Sequence, residues 1–181
     1  MAAYTSMLIS GRPVSGKSTL ASVLSKMYGW EVFSIGKLWR DEWKRKYPNQ
    51  EIRFEQYWGK TSAEENLKMD RKAKEIIEKG GVIGDLRVSA VTDDPRVLKV
   101  FVDADMDVRI ERAKNKKEYA KLPNEKIRAI LNKREKDELK MYKSTYGKNY
   151  DYRNPLNYHL VLNSGMLRLE NEAKAIAELM E

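Results

Sequence analysis

The sequence predicts an α/β protein built on a doubly wound, five-stranded parallel sheet with helices on both faces. Three observations carry this. Short apolar runs of strand type alternate with longer helical patterns along the chain. A glycine-rich turn, Gly11-Arg12-Pro13-Val14-Ser15-Gly16-Lys17-Ser18, joins the first run to the first helix and fits G-x-x-x-x-G-K-[ST], a phosphate-binding loop. Two long charged insertions leave the carboxyl ends of strands, the edge at which such sheets bind ligands.

In chain order, a strand is predicted near Thr5 to Ser10, where Met7-Leu8-Ile9 is apolar enough for a buried parallel strand. Lys17 to Tyr28 follows as a helix, because Leu20, Val23, Leu24 and Met27 recur at helical spacing and Gly29 supplies a stop. Trp30 to Ser34 reads as the second strand, followed by a long polar stretch to Lys79 that ends at Gly80-Gly81. Val82 to Asp85 and Val97 to Val102 are the third and fourth strands. Charged helical stretches continue to about Tyr146, Tyr158 to Leu162 is the fifth strand, and a last helix carries Leu169, Ala173, Ile176 and Met180 on one face. No repeat or linker breaks the pattern, so residues 1–181 read as one domain. Within it, residues 36–79 are placed as an acceptor-binding insertion and residues 104–148 as a lid region.

Composition narrows the function classes. There is no cysteine, hence no disulfide framework, no thiolate metal site and no cysteine nucleophile. No apolar run approaches the ~18 residues of a membrane span, and no basic-then-apolar leader opens the chain, so a soluble cytoplasmic protein with no membrane partner is expected. Thirty-five Lys and Arg against 27 Asp and Glu give a formal charge of +8, a field that favours anions such as nucleotides. Both signs are interspersed, which also describes an ordinary solvated surface.

The glycine-rich loop has a clear chemistry. Its glycines let backbone N–H groups converge on phosphate oxygens, and the helix behind it directs roughly half a positive charge at the same point. Gly11, Arg12, Pro13, Val14, Ser15, Gly16, Lys17, Ser18 and Thr19 are therefore the ATP-binding candidates, with Lys17 on the β- and γ-phosphates and Ser18 on Mg²⁺. Asp85, at a strand's carboxyl end, can hold a water on the same Mg²⁺, and Arg87 just beyond it would face an acceptor phosphate; a turn aspartate and a surface arginine are the plainer alternative. Ser34 and the Gly36 backbone would line the acceptor floor, with Arg40 one helical turn on to grip a phosphate through a bidentate pair, unless it is an exposed helix arginine. In the second insertion Arg109 and Arg112 lie i, i+3 on one helix face, and Arg128, Lys133 and Arg134 follow. Cations brought in by a lid stabilise the charge that spreads over a moving phosphoryl group, though with Glu111, Glu118, Glu135 and Asp137 among them they could also be plain i, i+4 pairs.

Taken together and in order, the phosphate loop, Ser34-Ile35-Gly36-Lys37-Leu38-Trp39-Arg40, Asp70, Asp85-Leu86-Arg87, Arg109-Ile110-Glu111-Arg112, and Arg134-Glu135-Lys136-Asp137-Glu138-Leu139-Lys140-Met141-Tyr142 with Tyr146-Gly147 resemble an archaeal-type cytidylate kinase. The resemblance implies the P-loop nucleoside monophosphate kinase architecture and transfer of the ATP γ-phosphate to CMP or dCMP with Mg²⁺. It also implies roles: Lys17, Arg109, Arg112 and Arg134 catalytic, Arg40 and Arg87 on the acceptor phosphate, Asp70 near the acceptor nucleoside, and Asn163-Ser164-Gly165 near the adenine. Lys37 and Leu86 depart from the family pattern, and Tyr47 to Lys60 is unusual, with Trp58 added to Trp39 and Trp43.

Rival readings are a kinase of the same fold acting on AMP, UMP or a small acid, and a nucleotide-dependent RNA-binding factor using the tyrosine- and lysine-rich stretch from Tyr142 to Arg153. Nucleic acid is not the expected partner, because Tyr142, Tyr146, Tyr150 and Tyr152 suit packing of the lid helix on the sheet. Trp39 and Trp43 are likewise expected to pack. The single histidine, His159, has no partners for a triad or a metal site and is expected to pack at a strand end. A monomer is expected.

Overall fold

The computed structural model describes residues 4–49, 51–52 and 54–180. Strands β1 (Ser6–Gly11), β2 (Glu31–Ser34), β3 (Val82–Asp85), β4 (Val97–Asp103) and β5 (Leu160–Asn163) form one sheet in the order β2-β3-β1-β4-β5. Every pairing is parallel. The helices are α1 (Lys17–Tyr28), α2 (Ile35–Lys46), α3 (Phe54–Trp58), α4 (Ala63–Glu78), α5 (Met106–Lys114), α6 (Asn124–Tyr146) and α7 (Leu169–Met180). None is long and apolar enough to cross a membrane among the described residues. The chain leaves β1 for β2 on one side and later crosses to β4 on the other, so the carboxyl end of β1 is the switch point at which such sheets bind ligands.

Strand period explains the two main cores. Met7 and Ile9 of β1, with Leu98, Val100 and Val102 of β4, face Leu20 and Leu24 of α1 and Ala173 and Ile176 of α7. Leu8, Val97 and Phe101 point the other way, onto Ala73 and Ile77 of α4 and Tyr142 of α6. Each fully buried Leu or Ile contributes about 1.5–3 kcal/mol, and a one-residue register slip would swap the two sets between faces and mispack both layers at once. A third cluster, Ile110, Ala113, Tyr119, Ile127 and Leu131, ties α5 to the start of α6.

The aromatic stretch of the first insertion builds a fourth core of its own around Trp39, Tyr57 and Met69. The rings of Trp39 and Tyr57 meet edge-on at 6.2 Å, and Trp43 Nε1 donates to the Ile52 carbonyl at 3.0 Å. The tryptophans thus hold α2, α3 and α4 together. Ser62 and Glu65 form a capping box at the start of α4, and Gly80 (φ 91°) and Gly81 (φ 70°) turn the chain into β3.

Element boundaries differ slightly from expectation. β5 begins at Leu160 because Tyr158 caps a 3-10 turn, Pro155–Asn157, and His159 is spent on a backbone link: its N–H donates to Lys99 O at 2.9 Å and its Nδ1 accepts from Lys99 N at 3.0 Å. β1 runs on to Gly11 and β4 to Asp103. Tyr142 and Tyr152 are buried, and Tyr146 lies against Tyr150 with ring centroids 5.1 Å apart.

Candidate active site

The phosphate loop starts from a forced glycine. A Cβ on Gly11 (φ 152°) would lie 2.1 Å from the Val102 carbonyl oxygen of the neighbouring strand. Val14 holds a positive φ of 63°, costly by about 1–3 kcal/mol for a β-branched residue, and Gly16 (φ 102°) caps α1. Alternate carbonyls of the loop are held from outside. Gly11 O accepts from Arg87 Nη1 at 2.8 Å, Pro13 O from Arg109 Nη1 at 3.4 Å, and Ser15 O from Arg112 Nη1 at 2.9 Å and Ser164 Oγ at 2.6 Å. With these carbonyls held, the loop amides other than Ser15 N, which donates to Arg12 O at 3.2 Å, and the unpaired first-turn amides of α1 are left for an anion.

At the mouth of the loop, Asp85 gathers two predicted residues. Its carboxylate accepts from Ser18 Oγ at 2.8 Å and pairs with Lys17 Nζ at 3.3 Å. Burial, and then the charge of Arg87, push the Lys17 ammonium down to about 8, with Asp85 opposing. Among the described residues no three His, Cys, Asp or Glu side chains cluster as a protein-only metal cage. One hydroxyl and one carboxylate are hard oxygen donors that fit Mg²⁺, which takes most of its shell from phosphates and water.

Two carboxylates on α6 organise the remaining arginines. Glu135 pairs with Arg12 Nη1 and Arg109 Nη1, and Arg12 Nε also pairs with Asp103 at 2.9 Å. Glu138 pairs with Arg87 Nε at 2.8 Å and Arg134 Nε at 3.0 Å. Arg109, 3% exposed, therefore lies behind the loop and not over it. Arg112 bridges the loop to the turn after β5, donating to Ser164 Oγ at 2.8 Å and Ser164 O at 2.6 Å. Thr19 is exposed on the first turn of α1.

The acceptor candidates gather beyond β2 and β3. Ser34, paired in register with Asp85, caps α2 by accepting from Lys37 N at 3.4 Å. Arg40 is exposed, 3.4 Å from where a Cβ on Gly36 would sit, with its guanidinium 6.0 Å from the Phe54 ring centre. Asp70 accepts a hydrogen bond from Tyr146 at the end of α6, and burial pushes its carboxyl up to about 6 against that bond.

Sequence reasoning gave Glu138, Asp103 and Tyr146 no chemical role of their own, and saw Glu135 only as a possible surface pair. A signal for the glutamates was present. Ile127, Leu131, Glu135, Glu138 and Tyr142 form the buried stripe of α6, and a carboxylate at an apolar stripe position must find cations.

A model of the cytidylate kinase-like family matches residues 15–166. The chain belongs to that family. It is similar to the cytidylate kinase of Archaeoglobus fulgidus, 32% identical over 178 residues that cover 96% of this chain and 93% of that one. The cytidylate kinase of Methanoregula boonei is 29% identical over 175 residues, with 96% and 92% covered. Among solved structures, shikimate kinase from Bacteroides thetaiotaomicron superposes with a TM-score of 0.62 at 12% identity, covering 97% of this chain and 98% of that chain. At that identity the likeness speaks for the fold alone, which is the P-loop nucleoside monophosphate kinase architecture that the family shares.

Proposed function

We propose that the protein transfers the γ-phosphoryl group of ATP to CMP or dCMP, giving ADP and the nucleoside diphosphate. The reading rests on family membership and on one observation, the convergence of Lys17 and Ser18 on Asp85 at the mouth of the phosphate loop. An oxygen of the acceptor phosphate attacks the γ-phosphorus while the bond to the β-phosphate bridging oxygen breaks. That nucleophile is already an anion, so the protein needs no strong general base; it needs position and positive charge.

Lys17 binds the β- and γ-phosphates as the loop amides receive their oxygens. Ser18 and Asp85 would hold Mg²⁺, which when bound neutralises phosphate charge. Arg40 and Arg87 take the acceptor phosphate, Ser34 and Gly36 its floor, and Asp70 lies near the acceptor nucleoside. Arg134, 44% exposed and held at Nε by Glu138, offers its outer nitrogens to the transferring group, whereas Arg109 and Arg112 brace the loop. Closure over the site excludes water, which would otherwise accept the phosphoryl group. We further propose a monomer in a cytoplasmic setting, which suits the nucleotide substrates.

The test is ADP release from Mg-ATP with CMP, dCMP, UMP, AMP or GMP as acceptor and Lys17→Ala as the blank. Stimulation should be strongest with CMP or dCMP. Stimulation by AMP or UMP alone would move the acceptor, and no stimulation above the blank would overturn the reading.

A further inference from the structure

We infer that Glu138 is a positioning residue for this reaction: one buried carboxylate on α6 holds the acceptor-side arginine and the α6 arginine in a single frame. The inference rests on the kinase reading above for what those two arginines bind. Glu138 is 1% exposed, and all its recorded partners are donors. Its Oε1 accepts from Arg134 Nε at 3.0 Å and forms an ion pair with Arg87, whose Nε lies 2.8 Å away, and its Oε2 accepts from Tyr152 Oη at 3.3 Å.

The way the arginines are held is what carries the argument. Each meets Glu138 through Nε, the inner edge of the guanidinium, so the outer nitrogens point away from the carboxylate. Arg87 spends Nη1 on the Gly11 carbonyl, and Arg134 spends neither outer nitrogen among the described residues. Their side chains are 14% and 44% exposed, a partial opening for one and a wide one for the other. Arg134, fixed at Nε with its fork free, is oriented for bidentate recognition of phosphate, and Arg87 keeps one outer nitrogen, Nη2, for a single bond.

Glu135, one turn earlier, is the internal control. It also joins two arginines, but Arg109 is 3% exposed and bonded to Pro13 O, and Arg12 is pinned by Asp103. In that cluster Arg109 is shut away from solvent, its Nε buried without a partner among the described residues, and Arg12 is tied to two carboxylates; the Glu138 cluster leaves three outer nitrogens on partly open side chains. Stability alone does not account for the difference, since a buried Arg–Glu–Arg group can often be replaced by apolar side chains without loss. A glutamate here, on a stripe that Ile127, Leu131 and Tyr142 fill with apolar surface, fixes how far apart the acceptor-side and α6 cations stand.

Steady-state kinetics with Mg-ATP and CMP on wild type, Glu138→Gln, Arg134→Ala and the double variant test this, with a thermal melt of each. Glutamine keeps the shape and one acceptor but loses the charge. Each single change should lower kcat by roughly ten- to a hundredfold, as expected when a reacting group is misplaced, with the KM for ATP little altered. The double variant should be no slower than the slower single, because Arg134 without its anchor is already displaced. Multiplying effects, or a Glu138→Gln protein that melts earlier with unchanged kcat, would overturn the inference.

Should Glu138→Gln not fold, Arg134→Lys serves, because the residue is half exposed: one ammonium cannot both hold Glu138 and offer a fork. Its kcat should fall as far as that of Arg134→Ala, and a wild-type kcat would overturn the inference. A wild-type protein without acceptor-stimulated turnover defeats the kinase reading and this inference with it. Normal wild-type turnover with multiplying effects defeats this inference alone.

Discussion

Alternate carbonyl oxygens of the phosphate loop, at Gly11, Pro13 and Ser15, are taken by Arg87, Arg109, Arg112 and Ser164. Across the same edge of the sheet, Arg40 of the acceptor arm is exposed and has no hydrogen-bond or carboxylate partner among the described residues. The loop is braced from behind before any phosphate arrives. The arm is packed around its own aromatic core, and its arginine stands open. The contrast fits the two tasks. Charge must be preorganised where the phosphoryl group moves, because reorientation there would be charged to every turnover, whereas the arm must admit and release an acceptor.

The most severe way to break the donor side is Lys17→Ala. It removes the cation that pairs with Asp85 at the mouth, and kcat/KM should drop about a thousandfold, while a thermal melt stays cooperative. The same lysine gives the donor side a pH signature. Its ammonium, pushed down to about 8, must be charged to hold phosphate, so kcat/KM for ATP in the free protein should fall as pH rises through about 8. A profile flat to pH 9.5 would take Lys17 off the phosphates.

Arg112→Ala loosens the brace and leaves the charge at the mouth intact. Three charged hydrogen bonds, to Ser15 O, Ser164 Oγ and Ser164 O, are lost, and the KM for ATP should rise about thirtyfold with a lower melting temperature. Unchanged ATP kinetics would separate the Ser164 turn from the nucleotide. On the arm, Arg40→Ala should raise the acceptor KM about tenfold and leave the KM for ATP alone, since Arg40 touches no part of the loop. Equal effects on both substrates would erase the donor–acceptor distinction itself.

How much of this was readable from sequence follows the same divide. The loop is contiguous, so its glycines and its lysine could be placed from eight residues, and the apolar run Met7-Leu8-Ile9 predicted a buried parallel strand, whose residues divide between the two main cores. The depth of a helical residue was not readable from spacing. Arg109 and Arg112 share a face, yet the first is buried behind the loop and the second bridges to Ser164. The i, i+4 reading holds on the outer face for Lys133 and Asp137, 2.5 Å apart. It is incomplete for Arg134 and Glu138, which share their bond with Arg87 from a segment 51 residues away in sequence by 138 minus 87. Such long-range partners depend on where the sheet delivers each loop, and Asp70 meeting Tyr146 is another case.

That last pair supplies the smallest and most discriminating prediction. Asp70 is held between α4 and the end of α6, its carboxyl raised from 3.8 to about 6 by burial, with the Tyr146 hydrogen bond pulling the other way. The folded protein therefore binds a proton that the unfolded chain has released between those values. The associated stability is complete below about pH 4 and is lost as pH rises through about 6. Asparagine has no charge to bury at any pH and still accepts from Tyr146. Asp70→Asn should thus be more stable than wild type at pH 7.5 and equal to it near pH 4, read from denaturant midpoints at both values. A gain independent of pH would place its cause outside the carboxylate. If the neutral-pH gain comes with a raised acceptor KM, the arm holds a buried charge at the expense of its own stability because the acceptor needs it, the acceptor-side counterpart of the buried Lys17 ammonium at the loop.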